Sequence, residues 1–548
     1  MKKNLTVWNL FSVVILAAFA LFIMYPIFLI LYRSVIHGDT GALTLQNFAH
    51  FFAKKFYWGT MVNSLKVTVV STILSAALGL PLAYLMRSVK IKGSSFLNIL
   101  IVISYLSPPF IGAYAWIQML GRQGVITQFL NDTFGLHYGG VYGFAGIVLV
   151  FTLQSFPLVY IYVSGALKNL DNSLNEAAES LGCSRMGRIW KIIVPLVMPT
   201  LLASSMLVFM RVFADFGTPM LIGEGYKTLP VLIYNQFMGE VSGDDGFAAA
   251  ICCIVIGLTI VMFFVQRFLA GRNTYAMTAL KPMAAESLSG LRNILAHLAV
   301  YMVVGLAILP QFVVVYTSFL ATNGGQVFTG GFALQSYDAT LFAKDNDVIW
   351  HTYFLGLCAI AAVLVLGVLI AYLSVRKRNT LNSILDVITM FPFIIPGSVL
   401  GIAFVFAFNK SPIILTGTAL IMIISFAVRR MPYTVRSSTA ILGNISPSIE
   451  EAAISLGASD MTTFRKITVP MMMPGVLSGA IMSWVTIISE LSSSIILYTN
   501  STQTLTVSIY TEVIRGNYGN ASAYATILTV TSILSLLLFY KVTGRRDV

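Results

Sequence analysis

The chain has 548 residues, of which 57% are hydrophobic and 10% charged, with a formal net charge of +13 and a mean hydropathy of +0.84. A water-soluble protein of that make-up would expose far more apolar surface than folded soluble proteins do, so the composition excludes a soluble fold and defines a multi-span membrane protein. The positive charge reports topology, as shown below, and calls for no nucleic-acid partner.

Apolar stretches of about 20 residues, enough for a helix to cross roughly 30 Å of hydrocarbon, predict spans at 7–32, 60–86, 97–120, 142–166, 198–222 and 247–270. The second half repeats the pattern at 293–320, 350–374, 382–408, 412–430, 472–498 and 521–541. The first stretch follows Lys2-Lys3, but it is too long for a signal h-region and no small-x-small cleavage site follows, so it reads as a retained helix. The turns Ser107-Pro108-Pro109 and Pro392 with Pro396 are expected to break the helices that hold them. Residues 271–292 interrupt the pattern with charged, small and proline residues and read as a linker. The expected fold is all-α, with six spans in residues 1–270 and six in 293–548. Cys183, Cys252, Cys253 and Cys358 have no metal-ligand spacing and read as small apolar residues.

The two halves are related. Glu176 to Pro199 (EAAESLGCSRMGRIWKIIVPLVMP) and Glu451 to Pro474 (EAAISLGASDMTTFRKITVPMMMP) share 14 of 24 positions at a constant offset of 275. The segment is polar, so apolar composition cannot create that similarity. Ala83-Tyr84-Leu85 also echoes Ala371-Tyr372-Leu373, and Pro157 matches Pro432 at the same offset. An even number of spans separates the copies, which puts both on one side of the membrane, and a parallel six-span repeat gives a pseudo-two-fold axis along the membrane normal. With the N-terminus inside, 24 of the 34 Lys and Arg residues fall in inner segments, among them Arg429 and Arg430. By the positive-inside rule both termini and both motif copies are cytoplasmic.

Within the motif loops, residues 171–199 and 446–474, Ser173-x-x-Glu176 and Ser448-x-x-Glu451 fit the capping box that starts a helix. Gly182 and Gly457 suit a left-handed C′ position that ends one. Small Ala177-Ala178 and Ala452-Ala453 permit close backbone approach, and two such helices on one face suit a two-fold partner.

Glu-Ala-Ala-x-Ser-Leu-Gly, followed thirteen residues after the glycine by Pro195 or Pro470 and then by Pro199 or Pro474, resembles the EAA loop of permease subunits in binding-protein-dependent ABC importers. Six-span halves with the motif after the fourth span resemble that type I importer fold over nearly the whole chain. The resemblance implies a substrate pathway between the halves. It also implies ATPase-coupling roles for Glu176, Ala177, Ala178, Ser180, Leu181 and Gly182, and for Glu451, Ala452, Ala453, Ser455, Leu456 and Gly457. The implied partners are two copies of an ATPase subunit, which bind ATP and Mg, and an extracytoplasmic binding protein, all at a bacterial cytoplasmic membrane. The chain has no phosphate loop or hydrolytic constellation of its own, so it is expected to be non-catalytic and to hold no cofactor and no permanent metal. Fused permeases of this length resemble ferric-iron importers, and Ile488-Ser489-Glu490-Leu491-Ser492 is similar to that branch. Thiamine, phosphonate, sugar-phosphate and polyamine permeases are the alternatives. An ion-coupled secondary transporter also has twelve spans in two repeats, but it has no use for two docking helices.

Asp215 and Glu490 lie 275 residues apart, at equivalent positions. An ionised residue at the bilayer centre costs roughly 2.5–3.5 kcal/mol on insertion scales, so the pair is expected to face a polar pathway, where two carboxylates suit a hard trivalent cation. Arg211, four residues before Asp215, supplies the opposing expectation of a neutralising helical ion pair.

Overall fold

The computed structural model describes residues 7–37, 41–135, 138–239, 245–271, 285–323, 327–342 and 347–543. Nine of the described helices are long and apolar enough to cross a membrane. They are spans 1 (Val7–Ser34), 2 (Lys55–Ser88), 4 (Gly143–Lys168), 5 (Arg185–Ala214), 6 (Asp245–Gly271), 7 (Gly290–Ser318), 8 (Val348–Arg376), 11 (Asp460–Ile488) and 12 (Tyr518–Thr543). Spans 3 and 9 are bent pairs. Ser94–Tyr105 meets Pro109–Phe134 at 99°, and Thr380–Ile394 meets Gly397–Phe408 at 110°. The expected prolines cause both bends, because a residue before proline is pushed out of the helical region; Ser107 and Ile395 sit at ψ 136° and 125°.

Ala419–Asn444, span 10 by its place in the repeat, is too polar to count with the nine or with the two bent pairs. It packs on spans 8 and 11 as span 4 packs on spans 2 and 5, and it is less apolar because it carries Arg429, Arg430 and Arg436. The stretch 412–430 therefore misplaced this span: the helix starts later and runs on through a polar second half. Spans 5 and 11 also stop earlier than their apolar stretches, at Ala214 and Ile488. The apolar residues beyond form short buried helices, Gly217–Ile222 with Leu229–Met238, and Ser494–Leu497 with Leu505–Arg515. One departure from the all-α expectation is a hairpin on the face opposite the motifs, Leu320–Asn323 paired antiparallel with Val327–Phe332.

Both motif copies lead into their span through a π-turn, Ile189–Ile193 and Phe464–Thr468, directly before Pro195 and Pro470. A proline inside a helix lacks an N–H and crowds the carbonyl four residues back, and a widened turn accommodates both defects. Span 1 has the same device, Ala20–Met24, ahead of Pro26.

The first span of each half packs on the other half. Trp8, Ile15, Ile23 and Ile30 share a core with Tyr372, Phe404 and Phe408, and the Ser12 hydroxyl donates to Asn382 Oδ1 at 2.6 Å. Reciprocally, Ala296, Val300, Val304 and Ala307 of span 7 join Ile101, Phe151 and Phe156, and the Tyr301 hydroxyl donates to the Lys92 carbonyl at 3.0 Å. Of the linker, residues 272–284 lie outside the described residues, while Glu286 bonds by its backbone to Ser88 and Lys90. Two co-expressed chains divided near Pro282 are expected to assemble through these crossed spans and to transport. Co-purification measures the first outcome, and loss of uptake with both pieces stably inserted would show that covalent fusion is required.

Candidate functional site

Each motif copy forms an eight-residue helix, Ser173–Ser180 and Ser448–Ser455. The expected capping boxes are absent from their starts. Asn172 and Pro447 occupy the N-caps without side-chain cap bonds. The Ser173 N–H instead donates to Asp171 Oδ1 at 2.9 Å, and that of Ser448 to the Ser446 hydroxyl at 3.4 Å. Such two-residue side-chain turns compete with a box for the same orphan donors. The ends are as expected. Gly182 and Gly457 have φ of +78° and +90°. Their N–H groups bond the carbonyls of Glu179 and Ile454, and the N–H groups of Cys183 and Ala458 reach Ala178 and Ala453, which is the Schellman pattern.

The outward faces match as well. Ala178 and Ala453 are buried at matching positions, while Ser180 and Ser455 turn back to the carbonyls of Glu176 and Glu451 at 3.0 and 2.9 Å. Leu181 and Leu456 are 88% and 90% exposed. The two leucines are bared at matching positions, 275 residues apart.

The undersides differ. In the second copy Glu450, absent from the candidate residues, is buried and accepts Arg376 Nε at 2.9 Å, while Arg376 Nη2 donates to the Ile445 carbonyl at 2.7 Å. Trp8, Tyr372 and Phe464 pack beside it in tilted and edge-to-face contacts with ring centroids 4.6–5.2 Å apart, and Lys377 pairs with Asp460 at 2.9 Å. In the first copy Asn175 replaces Glu450, and Arg188 pairs with Glu179 at 2.6 Å. Arg185 there reaches Glu286 of the linker at 3.6 Å, beside a cavity of about 180 Å³.

The second candidate region is the pair of equivalent breaks after spans 5 and 11. Asp215 accepts the Thr218 N–H at 2.9 Å and Glu490 the Ser493 N–H at 3.2 Å. Each carboxylate thus bonds the backbone three residues on, at the 275-residue equivalence, and this explains why the spans end there. Arg211 makes no ion pair with Asp215, which corrects the helical-pair expectation. Helix geometry fails at Asp215 (ψ 130°), and the Arg211 guanidinium lies 4.7 Å from the centroid of the Tyr105 ring. Glu490 is not a bare carboxylate. It is 3% exposed, and both Arg429 and Arg430 donate to it. These two arginines are largely covered within span 10, with 11% and 18% of their side chains exposed, and do not belong among inner-side charges. Adjacent arginines in an apolar stretch were the available signal, since intramembrane ionisable residues mark partners and pathways. Asp215→Asn is expected to lower stability by less than about 0.5 kcal/mol, because the amide oxygen still accepts from Thr218. Thermal unfolding in detergent measures this, and a larger loss would show that the charge itself is needed.

The repeat and the fold define the class: a duplicated multi-span membrane subunit with one exposed helix per half. The profile of the binding-protein-dependent transport system inner membrane component matches residues 75–275 and 363–546, and the chain belongs to that family. It is 30% identical over 546 residues to the ferric transport system permease protein FbpB of Actinobacillus pleuropneumoniae, covering 98% of this chain and 78% of that one. The Fe(3+)-transport system permease protein FbpB 2 of Haemophilus influenzae is 25% identical, covering 87% and 89%. The molybdenum transport system permease protein ModB of Escherichia coli (strain K12) is 28% identical over 218 residues, 39% of this chain but 93% of that one. One half here therefore corresponds to a whole unfused relative. A solved bacterial ABC transporter involved in alginate import aligns with 49% of this chain and 96% of its own at TM-score 0.40 and 16% identity.

Proposed function

We propose that the chain is the fused permease of an ATP-driven importer of ferric iron. In this reading both termini and both motif helices are cytoplasmic, two ATPase subunits that hold ATP and Mg seat one motif helix each, and an extracytoplasmic binding protein delivers substrate to the opposite face. The observation that carries it is the pair of identically terminated motif helices with bared Leu181 and Leu456. A two-fold ATPase dimer requires two such contacts. The Lys and Arg bias supports the orientation even without Arg429 and Arg430, and the full-length relatives named for ferric transport support the substrate.

Closure of the ATPase dimer would draw the motif helices together and rock the halves about the axis, opening the opposite face. The π-turns and Schellman ends join each motif helix to its span without a flexible linker, so displacement is transmitted rather than absorbed. Vesicles containing this chain, the ATPase and iron-loaded binding protein should take up ⁵⁵Fe(III) only with ATP present. Uptake that persists without the ATPase subunits would instead support an ion-coupled carrier.

A further inference from the structure

A cavity of about 280 Å³ opens on the face opposite the motifs, between the start of span 8, the helix Leu505–Arg515 and Asn520 of span 12. That is far more room than one water needs, and less than the roughly 300–1,000 Å³ of pockets that enclose a whole small ligand. It fits one long side chain. Its walls are polar and carry a surplus of negative charge. Asp347 is exposed at the rim. Glu512, with 13% of its side chain exposed, accepts from the amides of Asn517 and Asn520 at 3.0 and 3.2 Å on one oxygen, and its other oxygen meets Arg515 only at 3.5 Å. Two further groups that line the cavity are unsatisfied. The hydroxyl of Ser508, a residue 3% exposed, and His351 Nδ1 are buried without a partner among the described residues. Burying a hydroxyl without a bond is unfavourable, so the site lacks a group that would complete it.

The first half shows the same place without such a cavity lining. The Leu505 N–H donates to the Thr352 hydroxyl and the Leu229 N–H to the Ser64 hydroxyl, both at 2.7 Å, which aligns the two halves residue by residue. Counted from these bonds, Ser508 corresponds to Leu232, Glu512 to Gln236, His351 to Asn63 and Asp347 to Gly59. Leu232 is an ordinary core residue, 2% exposed. The second half thus has an unbonded hydroxyl where the first packs a leucine, and two carboxylates where the first has none. No three His, Cys, Asp or Glu side chains among the described residues converge as metal ligands do, so the cavity suits an organic cation better than a metal ion.

We infer that this cavity receives an arginine or lysine side chain of the extracytoplasmic binding protein, which anchors docking on the second half. This rests on the importer reading above, which brings that protein to this face. The cavity is also joined to the break after span 11. Thr506, in the first turn of the helix that carries Ser508 and Glu512, donates its hydroxyl to the Glu490 carbonyl at 2.8 Å. A side chain seated here therefore bears on the helix that is bonded to the Glu490 turn.

The experiment measures binding of the iron-loaded binding protein to the permease–ATPase assembly in vesicles by co-sedimentation. Asp347→Asn combined with Glu512→Gln should raise Kd about tenfold while the ATPase still co-purifies, and docking should lose part of its salt dependence. Arg515→Gln should tighten docking about threefold, because it removes the competing cation beside Glu512. Damage to the fold would not produce a gain. Both shifts are required: failure of either overturns the inference, while docking by the parent keeps the importer reading standing. Absence of docking by the parent assembly would overturn both. In a parallel arm the vesicles are offered ⁵⁵Fe(III) citrate without binding protein. Iron retained by the parent and lost in the double variant would make the cavity a metal site and overturn the side-chain assignment.

Discussion

Glu490→Gln should lower stability by about 3–5 kcal/mol, the usual result of breaking a buried ion pair by removing one partner. Glu490 is 3% exposed, and its carboxylate receives Arg429, Arg430 and the Ser493 N–H. Its backbone carbonyl also accepts the hydroxyls of Ser494 and Thr506, each at 2.8 Å. The glutamine would still accept from Ser493, so the backbone turn should survive. Two guanidiniums would then stand side by side without the carboxylate that bonds both. Removing the charges together should reverse the loss, because replacing a whole buried ionic group with apolar residues of similar size is often neutral. The triple variant Glu490→Gln, Arg429→Met, Arg430→Met is therefore expected to unfold near the parent temperature in detergent and yet to transport poorly. A single variant as stable as the parent would show that the arginines find other partners.

The second large effect is expected at the helix ends. Gly182 and Gly457 hold φ of +78° and +90°, and a left-handed residue with a Cβ costs about 1–2 kcal/mol. Nothing stands within 4 Å of a Cβ added at either position, so the penalty is conformational, and the new side chain would point into the space a partner is proposed to fill. Gly182→Val and Gly457→Val should each weaken ATPase association about tenfold, and the pair about a hundredfold, because distant sites add. Asn in place of valine should do less, since it tolerates the left-handed region. Retention of both co-purification and ATP-dependent uptake by the double valine variant would remove the coupling role from these helices.

What could be read from the residues follows the range over which each signal acts. Helix ends at Gly182 and Gly457 depend on one residue's backbone freedom and were legible, as were the bends at Pro108 and Pro396. The helix starts were not, because Asp171 and Ser446 compete locally with the expected capping box and the sequence does not say which donor wins. Apolar length located most spans but overran at Asp215 and Glu490, since a single carboxylate that bonds backbone can end a helix inside an apolar stretch. The neutralisation of Glu490 was hidden because Arg429 and Arg430 lie about 60 residues away. The anchoring of the second motif by Trp8 was hidden for the same reason. Long-range pairing has no periodicity to detect.

The crossed first spans set a problem of timing during synthesis. Ser12 and Asn382, bonded in the finished protein, are 370 residues apart, and a ribosome adding about 5–20 residues per second needs roughly 20–75 s to make the second after the first. Span 1 is inserted early and must wait in lipid for the surface it will cover. A chain truncated after the first half would present that helix without its seat, a recognisable mark of an incomplete product for membrane quality control. Making both halves as one polypeptide fixes their stoichiometry at one to one and guarantees that the seat arrives in the same patch of membrane as the helix that awaits it.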